Sequence, residues 1–170
     1  MKHNTPEFSR PLPVDRVPAG GSFEKIEADA DECAALAKRL AVPALHALSA
    51  GLRATPWRGG GLKLEGRLLA DLDQVSVVSL EPFRHKVSFE ISRYFLPPGS
   101  LRDGQEEDAD PIPNGEVDMG EVVAETLALE LDAYPRKPGE QFDDRIEDDQ
   151  GAEAAASPFA TLSKLQSSPD

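Results

Sequence analysis

Between Phe83 and Phe95 the side chains of Phe83, His85, Val87, Phe89, Ile91, Arg93 and Phe95 recur at every second position, with Arg84, Lys86, Ser88, Glu90, Ser92 and Tyr94 between them. A period of two belongs to the β-strand. A strand this long needs neighbours for its backbone and a cover for its apolar face, so this run demands a sheet with a helical or second-sheet layer against it.

Other segments supply those neighbours. Leu48, Ala50, Leu52 and Ala54 alternate with small or polar residues, Pro56-Trp57-Arg58-Gly59-Gly60-Gly61 interrupts, and alternation resumes from Leu62 to Leu72. That pattern predicts a hairpin with a flexible tip. The triple glycine is not a phosphate cradle, because no Gly-Lys-Ser/Thr follows and no helix starts there. Phe23 to Ala28 and the β-rich Val75 to Leu80 read as further strands, and the prolines between Phe8 and Val17 leave room only for short edge strands. Asp29, with Glu32 three residues on, starts a helix over Ala30 to Ala41 that buries Cys33, Leu36, Ala37 and Leu40. The expected fold class is α+β: an antiparallel β-sheet of five to seven strands, with a partly closed barrel as its alternative form, packed by one or two helices.

Charge divides the chain. Met1 to Arg102 holds 14 Lys/Arg and 12 Asp/Glu, whereas Asp103 to Asp170 holds 4 and 19. A net charge of -13 argues against a protein that wraps nucleic acid through its own surface. It suits attraction of a basic partner, although a solvated acidic tail has the same composition. Residues 1–139 are expected as a single α+β domain with a mobile acidic loop at 101–115, and residues 140–170 as an acidic, mostly disordered tail carrying a short amphipathic segment at 157–166.

The most specific stretch runs from Asp118 to Gly139. Asp118 is placed to cap a helix with Glu121 as its capping-box partner. Met119, Val122, Val123, Thr126, Leu127 and Leu131 form an apolar stripe, Glu121, Glu125 and Asp132 line the other side, and Leu129 lies beside the stripe. Pro135 is expected to end the helix in a rigid turn, Tyr134-Pro135-Arg136-Lys137-Pro138-Gly139, where the sign of charge reverses. Asp118, Glu121, Glu125, Tyr134, Arg136 and Lys137 are therefore the candidate partner contacts, a solvated face or local charge pairing being the alternative. Arg84, Lys86 and Tyr94, with Lys63 and Arg67 beside them, are the candidate RNA contacts, since an aromatic among cations can stack a base.

Taken together, Val117 to Leu129 with Tyr134 to Gly139 resembles the hallmark of the YceD family in its alphaproteobacterial form. Gln74 to Pro82 is similar to that family's second characteristic block, and Phe8-Ser9-Arg10-Pro11 and Ser157 to Leu162 fit its layout. Relatives often place a cysteine and a threonine where this chain has Ser76 and Ser79, and some end in paired cysteines absent here, so no thiol or metal role carries over. The resemblance implies a part in accumulation of large-subunit ribosomal RNA and in ribosome assembly, with no enzymatic activity. Ribosomal or rRNA-processing proteins are the implied partners.

The residues agree with that expectation. His3, His46 and His85 lie far apart with no metalloprotease spacing or nucleophile elbow, and the single cysteine permits neither a disulfide nor a Cys-based zinc site. No catalytic residue, cofactor or metal is expected. The reading is a monomeric cytoplasmic adaptor with indirect or weak RNA contact and no membrane. An acidic chaperone for a basic ribosomal protein and a weak direct RNA-binding module are the alternatives.

Overall fold

The computed structural model describes residues 6–100 and 109–140. Its elements run β1 (Pro11–Pro13), β2 (Ser22–Glu27), α1 (Ala30–Arg39), β3 (Ala44–Trp57), β4 (Gly61–Val75), β5 (Pro82–Leu96), β6 (Ala109–Pro111), β7 (Glu116–Asp118) and α2 (Met119–Glu130). Five strands form one sheet in the order β2-β3-β4-β5-β6, antiparallel except for the parallel β5–β6 pair, and β1 pairs separately with β7. The five-stranded sheet ends in two different edge strands, so the barrel alternative does not hold. Among the described residues, seven strands and two helices make an α+β fold.

β3, β4 and β5 form the body of the sheet, and their alternation is legible in burial. Leu48, Leu52, Leu62, Leu64, Leu68 and Leu72 are buried on the inner face, where Cys33 and Leu36 of α1 and Val123 and Leu127 of α2 join the same core. Burial pushes the Cys33 thiol up, which keeps it protonated and inert. A bulge at His46 shifts the register of β3, so Leu45 still points inward although it is out of step with Leu48. At the tip of the β3–β4 hairpin Trp57 pairs directly with Gly61, and the three-residue turn between them uses positive φ at Gly59 and Gly60.

α1 starts as its sequence predicts. The Asp29 carboxylate accepts the Glu32 amide at 2.8 Å, and the Glu32 carboxylate accepts the Asp29 amide at 2.9 Å. Glu32 also receives both Arg10 guanidinium nitrogens at 2.7 and 2.9 Å, which ties the N-terminal segment to the helix.

Three expectations are corrected. Val75 to Leu80 is not a strand of its own: β4 ends at Val75, and residues 76–81 turn back into β5. The Ser76 hydroxyl accepts the amides of Val78 and Ser79, and the Leu80 amide bonds the Ser76 carbonyl at 2.9 Å with Leu80 at φ 60°. A serine that offers its own acceptor to the following amides competes with sheet pairing despite the β-branched residues around it.

Secondly, the part of the acidic loop at 109–115 is built into the fold. Ala109–Pro111 pairs with β5, Ile112 is buried, and Arg93 holds the Asp110 carboxylate through Nε at 2.9 Å. One anchored isoleucine and one ion pair outweigh the polar composition; residues 101–108 lie outside the described residues. Thirdly, α2 stops at Glu130 rather than at Pro135, because Leu131 is already extended at φ −62°, ψ 132°. The expected tail and its segment at 157–166 lie, from residue 141 onward, outside the described residues. No helix among the described residues is long and apolar enough to cross a membrane.

Candidate partner-binding surface

At the start of α2 the acidic residues are turned inward to one another's neighbours. Asp118 accepts the amides of Gly120 and Glu121 at 3.0 and 3.2 Å and also the Arg10 amide at 2.7 Å and the Ser9 hydroxyl at 2.5 Å. The Met119 amide returns a bond to the Arg10 carbonyl at 3.0 Å. Fully buried Phe8 completes the contact, and Gly120 is there because a Cβ would lie 2.3 Å from the Phe8 carbonyl oxygen. Asp118 thus clamps the N-terminal segment to the helix.

Glu121 does not close the capping box expected of it. It reaches Arg39 at the end of α1 through two bonds of 2.8 and 2.5 Å, and Arg39 also meets Glu7 at 3.1 Å. Hydrogen bonding to Glu121 first, then its charge and that of Glu7, hold the Arg39 guanidinium above its ordinary pKa against the opposing effect of burial. Glu125 lies 3.7 Å from Arg93. The like-charged pair Glu121 and Glu125 is therefore relieved by two arginines from other elements.

Beyond α2 the chain is knitted to the loop after β4. The Val77 amide donates to the Pro135 carbonyl at 2.9 Å, and Gln74 Nε2 donates to the Asp132 carbonyl at 3.1 Å. The Gln74 carbonyl in turn pairs with His85 Nε2 at 2.9 Å, which assigns the proton to that nitrogen. The Ser76 hydroxyl bonds the Glu140 carboxylate, which also accepts the Lys137 amide at 3.2 Å. These bonds, Ser76 first and then Ser79, hold the Glu140 carboxyl below its usual range. Lys137 Nζ stands 3.5 Å from Glu81, and Arg136 is exposed with no ion pair to any described residue.

This junction gathers apolar side chains that face solvent. Of the seven large hydrophobic residues exposed among the described residues, Val77, Leu80 and Tyr134 belong to the two segments so joined and Val75 and Leu129 to the ends of the elements that lead into them, with Leu80, Leu129 and Tyr134 each about three-quarters exposed. Scattered single apolar residues are ordinary on a surface, but such a concentration on two bonded segments is the pattern of a contact region. The sequence pointed to Tyr134 and left Leu129 open. It missed Val77 and Leu80, whose strand-like setting concealed a turn.

The outer face of the sheet carries the candidate RNA contacts. Arg84 is bound twice by Asp71 at 2.7 and 2.9 Å, Lys63 meets Glu65 at 2.7 Å, and Arg67 meets Glu90 at 2.8 Å. Lys86 is exposed without an ion pair among the described residues. Tyr94 packs on Trp57 with ring centroids 4.8 Å apart, Lys63 lies over Tyr94, and Arg58 lies over Trp57. Trp57 and Arg58 are contributions that sequence reasoning assigned only to a hairpin tip. Among the described residues no group of His, Cys, Asp and Glu is arranged to hold a metal.

A family model described as large ribosomal RNA subunit accumulation protein YceD matches residues 64–166. The match takes in both segments of the junction just described. No curated protein and no solved structure matches the chain.

Proposed function

The chain belongs to the YceD family of large ribosomal RNA subunit accumulation proteins, and from that premise we propose that it supports accumulation of large-subunit ribosomal RNA by holding a protein partner, without catalysing a reaction. The observation that carries this reading is the junction of residues 76–81 with residues 131–140, which presents Val77, Leu80 and Tyr134 to solvent on a backbone held by several hydrogen bonds. Apolar side chains held in place before binding lose little freedom on contact, which favours a protein partner. An RNA-gripping surface needs cations free to neutralise phosphates, and most of those on the sheet face are already matched by carboxylates.

Ribosomal or rRNA-processing proteins are the partners that the family role suggests. A second reading, weak RNA contact at Tyr94, rests on its packing with Trp57 under Lys63 and Arg58. Depletion of the protein should lower the ratio of large- to small-subunit ribosomal RNA, and wild-type protein should restore it. Leu80→Ser with Tyr134→Ser should fail to restore it and should lose co-purifying ribosomal proteins while melting as wild type does. Full restoration by that double variant would sink the assignment of this surface. Loss of RNA binding by Tyr94→Ala in a variant that keeps its protein partners would favour the second reading.

A further inference from the structure

Beside the junction, the end of α1, the end of β4 and the end of α2 leave an open cleft of about 470 Å3. Leu40, Val42, Val75, Ala128, Leu131 and Pro135 supply an apolar lining. The polar lining residues are largely engaged: Arg39 by Glu121 and Glu7, Gln74 by His85 and the Asp132 carbonyl. With its charge matched by two carboxylates, Arg39 attracts an incoming anion only weakly.

What the cleft and the adjoining end of α2 do offer is acceptors. α2 ends with no basic residue in its last turn and no glycine cap, and among the described residues only the Leu131 amide folds back, onto the Leu127 carbonyl. The carbonyls of Ala128, Leu129 and Glu130 therefore stand open at the negative end of the helix, where a cation is favoured. Glu130 has no cationic partner among the described residues, and the Asp132 carboxylate accepts only the Tyr134 amide, at 2.8 Å. Lys38, Arg136 and Glu130 are next in sequence to lining residues and none of the three lines the cleft, whereas Asp132 does.

We infer that this cleft takes a cationic segment of a partner protein, with one aliphatic or aromatic side chain in the apolar lining and flanking Lys or Arg side chains on the open α2 carbonyls and Asp132. The inference rests on the partner-binding role proposed above and adds the chemistry of the occupant. The volume suits one side chain with the backbone that carries it. A nucleic acid would bring phosphates against open carbonyls and carboxylates, which disfavours it at this site.

The full chain is titrated with three labelled probes at about 0.15 M salt, where surface charge attraction is screened over about 8 Å: a short peptide alternating Lys and Leu, an oligolysine of the same length, and an oligouridylate. The alternating peptide should bind at least about tenfold more tightly than oligolysine, a difference of about 1.4 kcal/mol, and oligouridylate should not bind. Ala128→Trp, which fills the cleft from an exposed helix position, should weaken the peptide about tenfold, as should Asp132→Lys. If Ala128→Trp melts below wild type, Ala133→Trp, at a second exposed lining residue, makes the same test. Oligolysine binding as well as the alternating peptide, or a cleft-filling variant that melts and binds like wild type, overturns the inference. In depleted cells, restoration of large-subunit ribosomal RNA by wild type and equally by Ala128→Trp would remove the cleft from function and leave the family role standing. Failure of wild type to restore it would strike the family role itself, whatever the peptides do.

Discussion

The two ends of α2 carry the same formal charge and opposite availability. At the first turn Asp118 and Glu121 together receive an amide, a serine hydroxyl and a bidentate arginine from two other parts of the chain. At the other end, Glu130 in the last turn and Asp132 just past it meet no cation among the described residues, and Leu129 and Tyr134 are exposed beside them. A carboxylate already paired inside the fold has little left to offer a partner, because an outside cation must displace the one in place. Counting acids along a helix therefore does not locate its contact surface. On the function proposed above, the end whose groups remain unmatched is the one that meets a partner.

That contrast predicts that changes at the first end cost stability and changes at the second cost partners. The largest effect belongs to Gly120→Val, whose added carbon meets the backbone of Phe8 and Arg10. It should destabilise by about 3 kcal/mol, read as a lower urea midpoint, since overpacking against backbone has no cheap relief. Asp118→Ala should follow at about 2 kcal/mol, the upper part of the range for a lost N-cap, because it also strands the Arg10 amide. A midpoint unchanged in that variant would mean that the N-terminal clamp contributes nothing. Glu121→Gln should cost about 1 kcal/mol through its partly exposed arginine pair.

At the other end, Leu129→Ser should shift stability by less than about 0.5 kcal/mol, as expected of an exposed site, while lowering recovery of protein partners in an affinity purification. Equal loss of stability at both ends would erase the distinction. The smallest effect concerns pH. Glu140 is held below its ordinary carboxyl range by Ser76 and Ser79, so its bonds contribute above the unfolded-state value of 4.5 and are lost as pH falls through the lower folded value. Hydrogen exchange at the Val77 and Lys137 amides should accelerate in that acid range, and Glu140→Gln should remove most of the change. Exchange at these two amides that ignores both acid and the substitution would show that Glu140 does not hold the junction.

How much could be read beforehand depended on distance along the chain. The capping box of Asp29 and Glu32, the alternation of β4 and β5 and the buried stripe from Met119 to Leu127 are all local patterns, and each appears where its spacing places it. Glu121 looked like a capping residue because Asp118 stands three positions before it. Its actual partner, Arg39, lies 82 positions away and outbids the local amide. Val75 to Leu80 misled for a related reason: β-branched residues describe a preference for sheet, whereas the Ser76 hydroxyl and the Glu81 carbonyl supply a turn.

From the sequence by itself came the fold class, the Asp118 cap and the family resemblance carried by the stretch through Gly139. Periodicity and capping act within a few residues and need no knowledge of the rest of the chain. Only the tertiary structure decided which acids are matched and which are open, since that depends on Arg39 and Arg93 arriving from distant elements. It also joined Gln74, Ser76 and Val77 to residues 132–140, and so created the exposed apolar junction and the cleft beside it from segments that pairwise spacing leaves unrelated.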